Sequence, residues 1–395
     1  MRFEEVDRPP YLCWNGIWTG TADRWYTEGL SKDPEGASYD EVRRHFEFDC
    51  PETERGWEAL KDLGPGWVKV AQRGWYAVPF VHKPLPPPGT PKAGPPPQGW
   101  YLIEETDRYK TYLVNGGPWK MKSLKGDDSR KRIYYDYPEI NRKNFEWMKK
   151  FYDPHHPARY PRGTEKRGHL RVITREMEYP VVLRINAPSS ALSFFGGHLW
   201  MEVLYSYNDQ PELVREIIEY FTDQTILSLE DVLEDCTIDF VDLFDDHLCY
   251  SHGPWISPEV FRSFMFPHYQ RLIDFLKSRG INLILGYFGG DITALLPLFL
   301  ELGYDGFCHL SAENGMDAPT LRREYGRDLR IIDNIGYRVL LESEQAIREE
   351  LKKKLPLIED GGYVPCIDEE ISADVTFERF EYFNQELKAG LGITT

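Results

Sequence analysis

No stretch of this chain approaches the ~18 consecutive apolar residues that a membrane-spanning helix needs. With 41% apolar and 28% charged residues in a length of 395, its composition is that of a globular protein. Met1 to Glu5 lack the basic and then apolar opening of an export signal, so a cytoplasmic location is expected. Positive charge is scarce as well. Only 47 Lys and Arg stand against 64 Asp and Glu, a formal net charge of −17. Such a balance repels a phosphate backbone, and neither nucleic acid nor a membrane is expected as a partner. Paired cysteines are missing too. Cys13, Cys50, Cys236, Cys249, Cys308 and Cys366 occur one at a time, with no Cys-x-x-Cys. That argues against a disulfide framework and a ribbon-type zinc site, and makes each thiol a small buried apolar group.

What the chain does have, from about residue 237 onward, is an alternation of short apolar or β-branched runs with amphipathic helical stretches. This is the signature of parallel βα units. The runs are Thr237 to Phe244, Asn282 to Gly286, Asp305 to His309, Leu329 to Asp333 and Gly362 to Cys366. Helix starts are well marked between them. Ser257, Pro258 and Glu259 supply an N-cap, an N1 proline and a first-turn acid before a helix to Lys277, with Gly280 past its end. Asp209 and Pro211 open a helix reaching about Cys236, and Ser343 begins another that Gly361 and Gly362 end. Tyr179 to Ile185, Pro10 to Cys13 and Trp67 to Val70 bring the strand count to the number that closes a (β/α)8 TIM barrel. The chain therefore reads as one α/β barrel domain over residues 1–395, with an N-terminal extension and an insertion at 80–165. The insertion holds a proline-rich loop from Pro84 to Pro97, then an antiparallel hairpin between Trp100 and Lys122 turning at Asn115, Gly116 and Gly117.

Several segments carry a family resemblance. Ile256 to Phe264, Pro267 to Phe275, Gly290-Asp291-Ile292, Gly315-Met316-Asp317, Leu321 to Gly326 and Gly361-Gly362-Tyr363, taken in order, resemble the uroporphyrinogen decarboxylase-like superfamily. That superfamily includes the decarboxylase and the barrel methyltransferases that work with corrinoid proteins. The similarity runs from about residue 180 to 390. Glu5 to Tyr11 and Tyr152 to Pro161 look like its divergent, methyltransferase-associated branch.

Its chemical motifs are altered in this chain. The decarboxylase clamps a polyacid with an arginine-rich motif near its start, since guanidinium forks suit carboxylates. The matching stretch, Pro10 to Trp18, has no arginine. The zinc-using methyltransferases carry His-x-Cys-Gly-Asn after the fifth strand, because soft and imidazole ligands deprotonate a thiol. Aligned on Gly290 and Ile292, this chain has Tyr287 at the His, Gly289 at the Cys and Asp291 at the Asn. Zinc thus lacks two ligands; Cys366 lies several residues before the place of the last one.

Barrel active sites sit at the C-terminal ends of the strands. There the sequence places Asp245, Asp246 and His247, then Tyr287 and Asp291, then His309, then Asp333 with Asn334, and finally Asp368, Glu369 and Glu370. Asp245, Asp246, His247 and Glu369 are the candidate proton donors or acceptors, and Asp246, His247, His309 and Glu369 are the candidate ligands of a divalent metal. The alternatives are loop-capping carboxylates, a satisfied core histidine and a solvated charge run. Tyr287, Asp291, His309 and Asn334 are candidates to line the ligand space, with Trp14 and Trp18 stacking on a flat ring. His155 and His156, in a proline-bounded loop, read as a surface turn.

Two activities from different classes fit. In the first, a methyl group passes between a small substrate, namely a methoxylated aromatic, a methylamine or a folate-type pterin, and a corrinoid on a partner protein. In the second, a lyase decarboxylates a smaller heteroaromatic acid, with a buried Asp protonating the carbanion equivalent. A barrel that binds a ligand without catalysis is the non-enzymatic alternative. Related barrels often dimerise, and aromatic inserts would allow a homodimer.

Overall fold

The computed structural model describes residues 8–13, 15–31, 38–49, 76–78, 100–114, 120–125, 132–135, 139–149, 181–196, 200–235 and 237–393. Its strands, in chain order, are β1 (Tyr76–Val78), β2 (Trp100–Glu105), β3 (Tyr109–Val114), β4 (Lys120–Leu124), β5 (Arg132–Tyr135), β6 (Val181–Asn186) and β7 (Phe240–Phe244). They continue with β8 (Cys249–Tyr250), β9 (Gly253–Pro254), β10 (Ile284–Tyr287), β11 (Gly306–Cys308), β12 (Arg330–Ile332) and β13 (Tyr363–Val364).

Seven strands make one parallel sheet in the order β1-β6-β7-β10-β11-β12-β13. Each strand lies beside the one before it, which is the order of a βα barrel. The five runs expected after residue 237 or so fall on β7, β10, β11, β12 and β13, trimmed at their ends. The expected run Trp67 to Val70 lies outside the described residues; β1 is the strand that pairs with β6. Pro10 to Cys13 makes no ladder with the sheet, which among the described residues is not closed by hydrogen bonds. Leu12 nonetheless belongs to the same interior cluster as Val182, Leu285, Tyr287, Cys308, Ile332, Val364 and Cys366. Ile17 also bridges in parallel to Ile371, beyond β13.

Strand alternation sorts the side chains into two layers. On β7, Phe240 packs in the interior cluster while Val241 and Leu243 pack outward in the large core beneath the helices. β6, β10, β11, β12 and β13 repeat the division, with Val182, Leu285, Cys308, Ile332 and Val364 inside and Leu183, Ile284, Phe307, Ile331 and Tyr363 outside. A second core joins the helix Thr19–Glu28 to the C-terminal helix Phe377–Gly390, where Trp25 stacks on Phe380 at 4.9 Å.

Helix caps follow the sequence. Ser257 accepts the Val260 N–H at 3.3 Å, and the helix runs from Pro258 to Ser278 through a π-helical segment, Phe261–Met265. Ser343 accepts the Ala346 N–H at 3.1 Å. That helix stops at Lys354, because Pro356 has no N–H to continue it and opens a separate turn, Pro356–Asp360. The C-terminal helix, capped by Thr376, has no counterpart in the sequence reading. Residues 100–114, 120–125 and 132–135 extend the expected hairpin into a four-stranded antiparallel sheet, β2-β3-β4-β5. Its turn at Asn115, Gly116 and Gly117 lies outside the described residues, as do the proline-rich loop, His155 and His156. Cys13, Cys249, Cys308 and Cys366 are buried, and none of the four is in a disulfide. No described helix is long and apolar enough to cross a membrane.

Candidate active site

The C-terminal ends of β7, β10 and β11 carry three rings side by side. Tyr287 stacks on Phe244 at 5.0 Å and on His309 at 4.4 Å, with the His309 plane only 16° away from parallel. Beneath them the guanidinium of Arg184 lies 4.4 Å from the centre of the Tyr287 ring. Its Nε donates to Asp242 Oδ2 at 2.6 Å, a buried pair inside the barrel. Neither Arg184 nor Asp242 stands among the sequence candidates. The signal was available: alternation along 182–186 and 240–244 turns both inward, and opposite charges on neighbouring strands of a buried interior must pair.

His309 reaches this stack because its backbone is left-handed, at φ +59°. Continued alternation after Cys308 would send it outward with Phe307. Asp333 and Asn334, at the end of the next strand, are left-handed too, at φ +78° and +72°. Asp, Asn and His tolerate this region better than other side chains, at a cost of about 1 to 3 kcal/mol each. Asp333, fully buried, offsets part of it by accepting the His309 N–H on Oδ2 at 2.5 Å. Burial, with the nearby charge of Asp368, raises the Asp333 carboxyl well above the usual carboxylate range. Its Oδ1 has no hydrogen-bond partner among the described residues. The sequence places Asp333 at a strand end without giving it a role.

Gly289 joins His309 to Asp246. A Cβ there would stand 2.2 Å from Asp246 Oδ1 and 3.4 Å from His309 Cδ2, so the space of one absent methyl group is bounded by a carboxylate and an imidazole. On the other side, His309 Nε2 is 3.9 Å from Oε2 of Glu369, whose side chain is 53% exposed. Asp246, His309 and Glu369 thus come together. His247 stands edge-on to Phe244 at 5.9 Å, on the same strand end.

Other candidates occupy different places. Asp245 faces outward: Ser189 and Tyr269, from beneath the helices, both donate to its carboxylate. Burial, with the adjacent Asp246 charge, raises it to about 7 against those two hydrogen bonds. Alternation explains the direction, since Phe244 faces in. Asn334, expected to line the ligand space, is fully buried and pins loops instead. Its amide donates to the carbonyls of Leu310 and Met316 at 2.7 and 2.6 Å and accepts from the Ala318 N–H and Lys354 Nζ. Asp291 caps its own turn by accepting the Thr293 N–H at 2.8 Å. The Trp18 indole donates to Glu370 at 2.9 Å at the same rim, and Trp14 lies outside the described residues. Asp368 accepts the backbone N–H groups of Ala312 and Tyr337, each at 2.9 Å, and burial raises it to about 7.

The thiol-activating zinc of the superfamily does not fit these residues. Asp246 fills the space a ligating Cys at 289 would need, and Tyr287 is held between two rings. Cys366 packs in the apolar interior. Nor do Asp246, His247, His309 and Glu369 form the expected metal centre: among the described residues no three His, Cys, Asp or Glu are arranged to hold an ion.

A parallel α/β sheet in sequential order, with ionisable groups gathered at its C-terminal rim, defines the class. The family described as Uroporphyrinogen decarboxylase (URO-D) matches residues 142–389, and the chain belongs to it. Among solved structures, the chain is similar to a B12-independent methionine synthase from Shewanella sp. W3-18-1, at 11% identity, 74% coverage of each chain and a TM-score of 0.32. A Listeria monocytogenes protein assigned as a vitamin-B12 independent methionine synthase matches at 16% identity, covering 55% of this chain and 65% of its own, with a TM-score of 0.30. No curated protein matches the chain.

Proposed function

We propose that the chain is a methyltransferase that moves a methyl group between a small substrate at this rim and a corrinoid carried by a partner protein. The observation that carries the reading is the Asp246, His309 and Glu369 group around Gly289, seated on the Tyr287 and Phe244 rings. Breaking a bond between methyl carbon and nitrogen or oxygen needs a proton on the departing heteroatom. An imidazole flanked by two carboxylates, one of them open to water, can hold that proton and be recharged. When a pterin is the acceptor, the same imidazole takes the proton that its nitrogen loses. The corrinoid, as co-substrate, supplies the cobalt that gives or takes the methyl group. Methoxylated aromatics, methylamines and folate-type pterins are the substrates this chemistry suits. Arg184 is committed to Asp242, which disfavours a clamp for a polyacid.

The lyase reading rests on one feature, the buried carboxyl of Asp333, whose hold on a proton burial strengthens, as protonating a carbanion requires. One experiment separates the two. The purified protein is mixed with reduced cobalamin and a panel of methoxylated aromatics, methylamines and methylfolates, and the cobalt spectrum is followed. A substrate-dependent spectral change supports methyl transfer. No change across the panel, or carbon dioxide release from a heteroaromatic acid without corrinoid, rejects it.

A further inference from the structure

The three left-handed residues at the ends of β11 and β12 belong to one connected set of hydrogen bonds, and the set begins at a buried lysine. Lys354, on the helix Glu344–Lys354, is fully buried. Its ammonium donates to the Asn334 carbonyl at 2.8 Å and to the Asn334 side chain, and is balanced by Asp317 at 3.0 Å and Glu350 at 3.4 Å. Asn334 in turn holds the Leu310 carbonyl, one residue past His309. Next to Asn334, Asp333 accepts the His309 N–H on Oδ2 and the Asn15 amide at 3.4 Å, while its own N–H is tied to Val364. Asn15 continues to the stack, since its Oδ1 accepts from the Tyr287 hydroxyl at 3.5 Å. The hydrogen bonds from Lys354 through Asn334 and from Asp333 to His309 and Asn15 and on to Tyr287 are buried, so water offers no substitute for a lost one, whereas Asp317 and Glu350 are partly exposed.

We propose that Asp333 is a positioning residue: braced through Asn334 by Lys354, it holds His309 in the left-handed conformation that lays the imidazole on Tyr287 with Nε2 toward Glu369. Asp333 need not touch the substrate for this role. Its hydrogen bond goes to the His309 backbone, and the effect on chemistry is through the direction of the ring. The alternative conformation is the extended one that ordinary strands adopt. It would carry the imidazole to the outer layer with Phe307, away from both carboxylates. The inference stands whether the rim transfers methyl groups or releases carbon dioxide, and its test uses neither activity.

Two measurements on the full chain decide it. The first is hydrogen exchange of the His309 amide in the unaltered protein by NMR. The Asp333 contact predicts exchange roughly a hundredfold slower than for amides of the exposed rim around Glu369; equal rates overturn the proposal. The second compares Asp333→Asn with Asp333→Ala through the ring proton signals of His309, which stacking on Tyr287 shifts upfield. The Asn variant keeps an acceptor for the His309 N–H and retains the shift, while the Ala variant loses it, with the overall fold checked by circular dichroism. An unchanged His309 signal in a folded Ala variant overturns the proposal. Should the Ala variant fail to fold, the exchange measurement and the Asn variant decide alone, and loss of the shift in a folded Asn variant counts against it.

Discussion

At the scale of single residues, the site depends on which atom a neighbour would meet. Gly289 and Gly306 both lack room for a side chain, yet for different reasons. A Cβ at 289 meets the far end of Asp246, which can swing away, whereas at 306 it would stand 2.4 Å from the backbone oxygen of Arg330. Gly289→Ala is therefore expected to cost under about 1 kcal/mol of stability but to lower turnover at least tenfold, by unseating Asp246. Gly306→Ala should cost about 3 kcal/mol through strand displacement. Denaturant unfolding of the pair beside steady-state rates checks the contrast. Glu369→Gln, on a half-exposed side chain, is expected to leave unfolding unchanged and reduce turnover about a hundredfold; an unreduced rate removes Glu369 from proton transfer. His309, Asp246 and Glu369 were legible as residues because strand ends in this fold point to chemistry. Asp245, named with them as a candidate, faces away from the rings, as the period of two that places Phe244 inside requires. The left-handed turn at His309 was not, because it is set by Asp333, a partner some two dozen residues away in sequence.

Elements were read best where local signals and packing agreed. Ser257 with Pro258, and Ser343, cap helices as their side chains dictate. The strands after residue 237 are apolar runs bounded by turn residues, so burial and propensity select the same conformation. Agreement failed where one residue interrupted a run, as Pro356 does, or where an alternative hydrogen-bond spacing cost little, as in the π segment at Phe261–Met265. Lys354 shows how an element is fixed by a contact no local pattern reveals. It shares Asp317 with Lys353, whose side chain is 51% exposed. Lys353→Met should cost less than about 0.5 kcal/mol, since a solvated ion pair contributes little. Lys354→Met leaves Asn334, Asp317 and Glu350 without their buried cation and is expected to cost about 3 to 5 kcal/mol. Equal unfolding midpoints for the two variants would show that the buried ammonium does not brace the helix against β12.

For the molecule as a whole, stability should depend on pH in a direction opposite to that of a typical acid-sensitive protein. Burial raises Asp245 and Asp368 to about 7 and lifts Asp333 well above its usual range. Between the ordinary carboxyl value of 3.8 and about 7, the folded chain keeps protons that the unfolded chain has released. Unfolding then becomes easier as pH rises through that window. The contribution of Asp245 and Asp368 is fully present below 3.8 and lost by about 7. Asp317 works the other way. Although its partial burial opposes ionisation, hydrogen bonds from Lys353 and Lys354 hold it at about 2, so its contribution is lost only in strong acid. The formal charge of −17 adds self-repulsion on the alkaline side. The urea midpoint is therefore expected to be higher at about pH 5.5 than at about pH 8. Asp245→Asn tests the cause, because an amide can still bond Ser189 and Tyr269 but cannot ionise. Its midpoint should fall less between the two pH values than that of the unaltered chain. A midpoint that rises from the lower pH to the higher, or an equal slope in the Asn variant, would show that the buried carboxyl at the end of β7 does not govern the pH response.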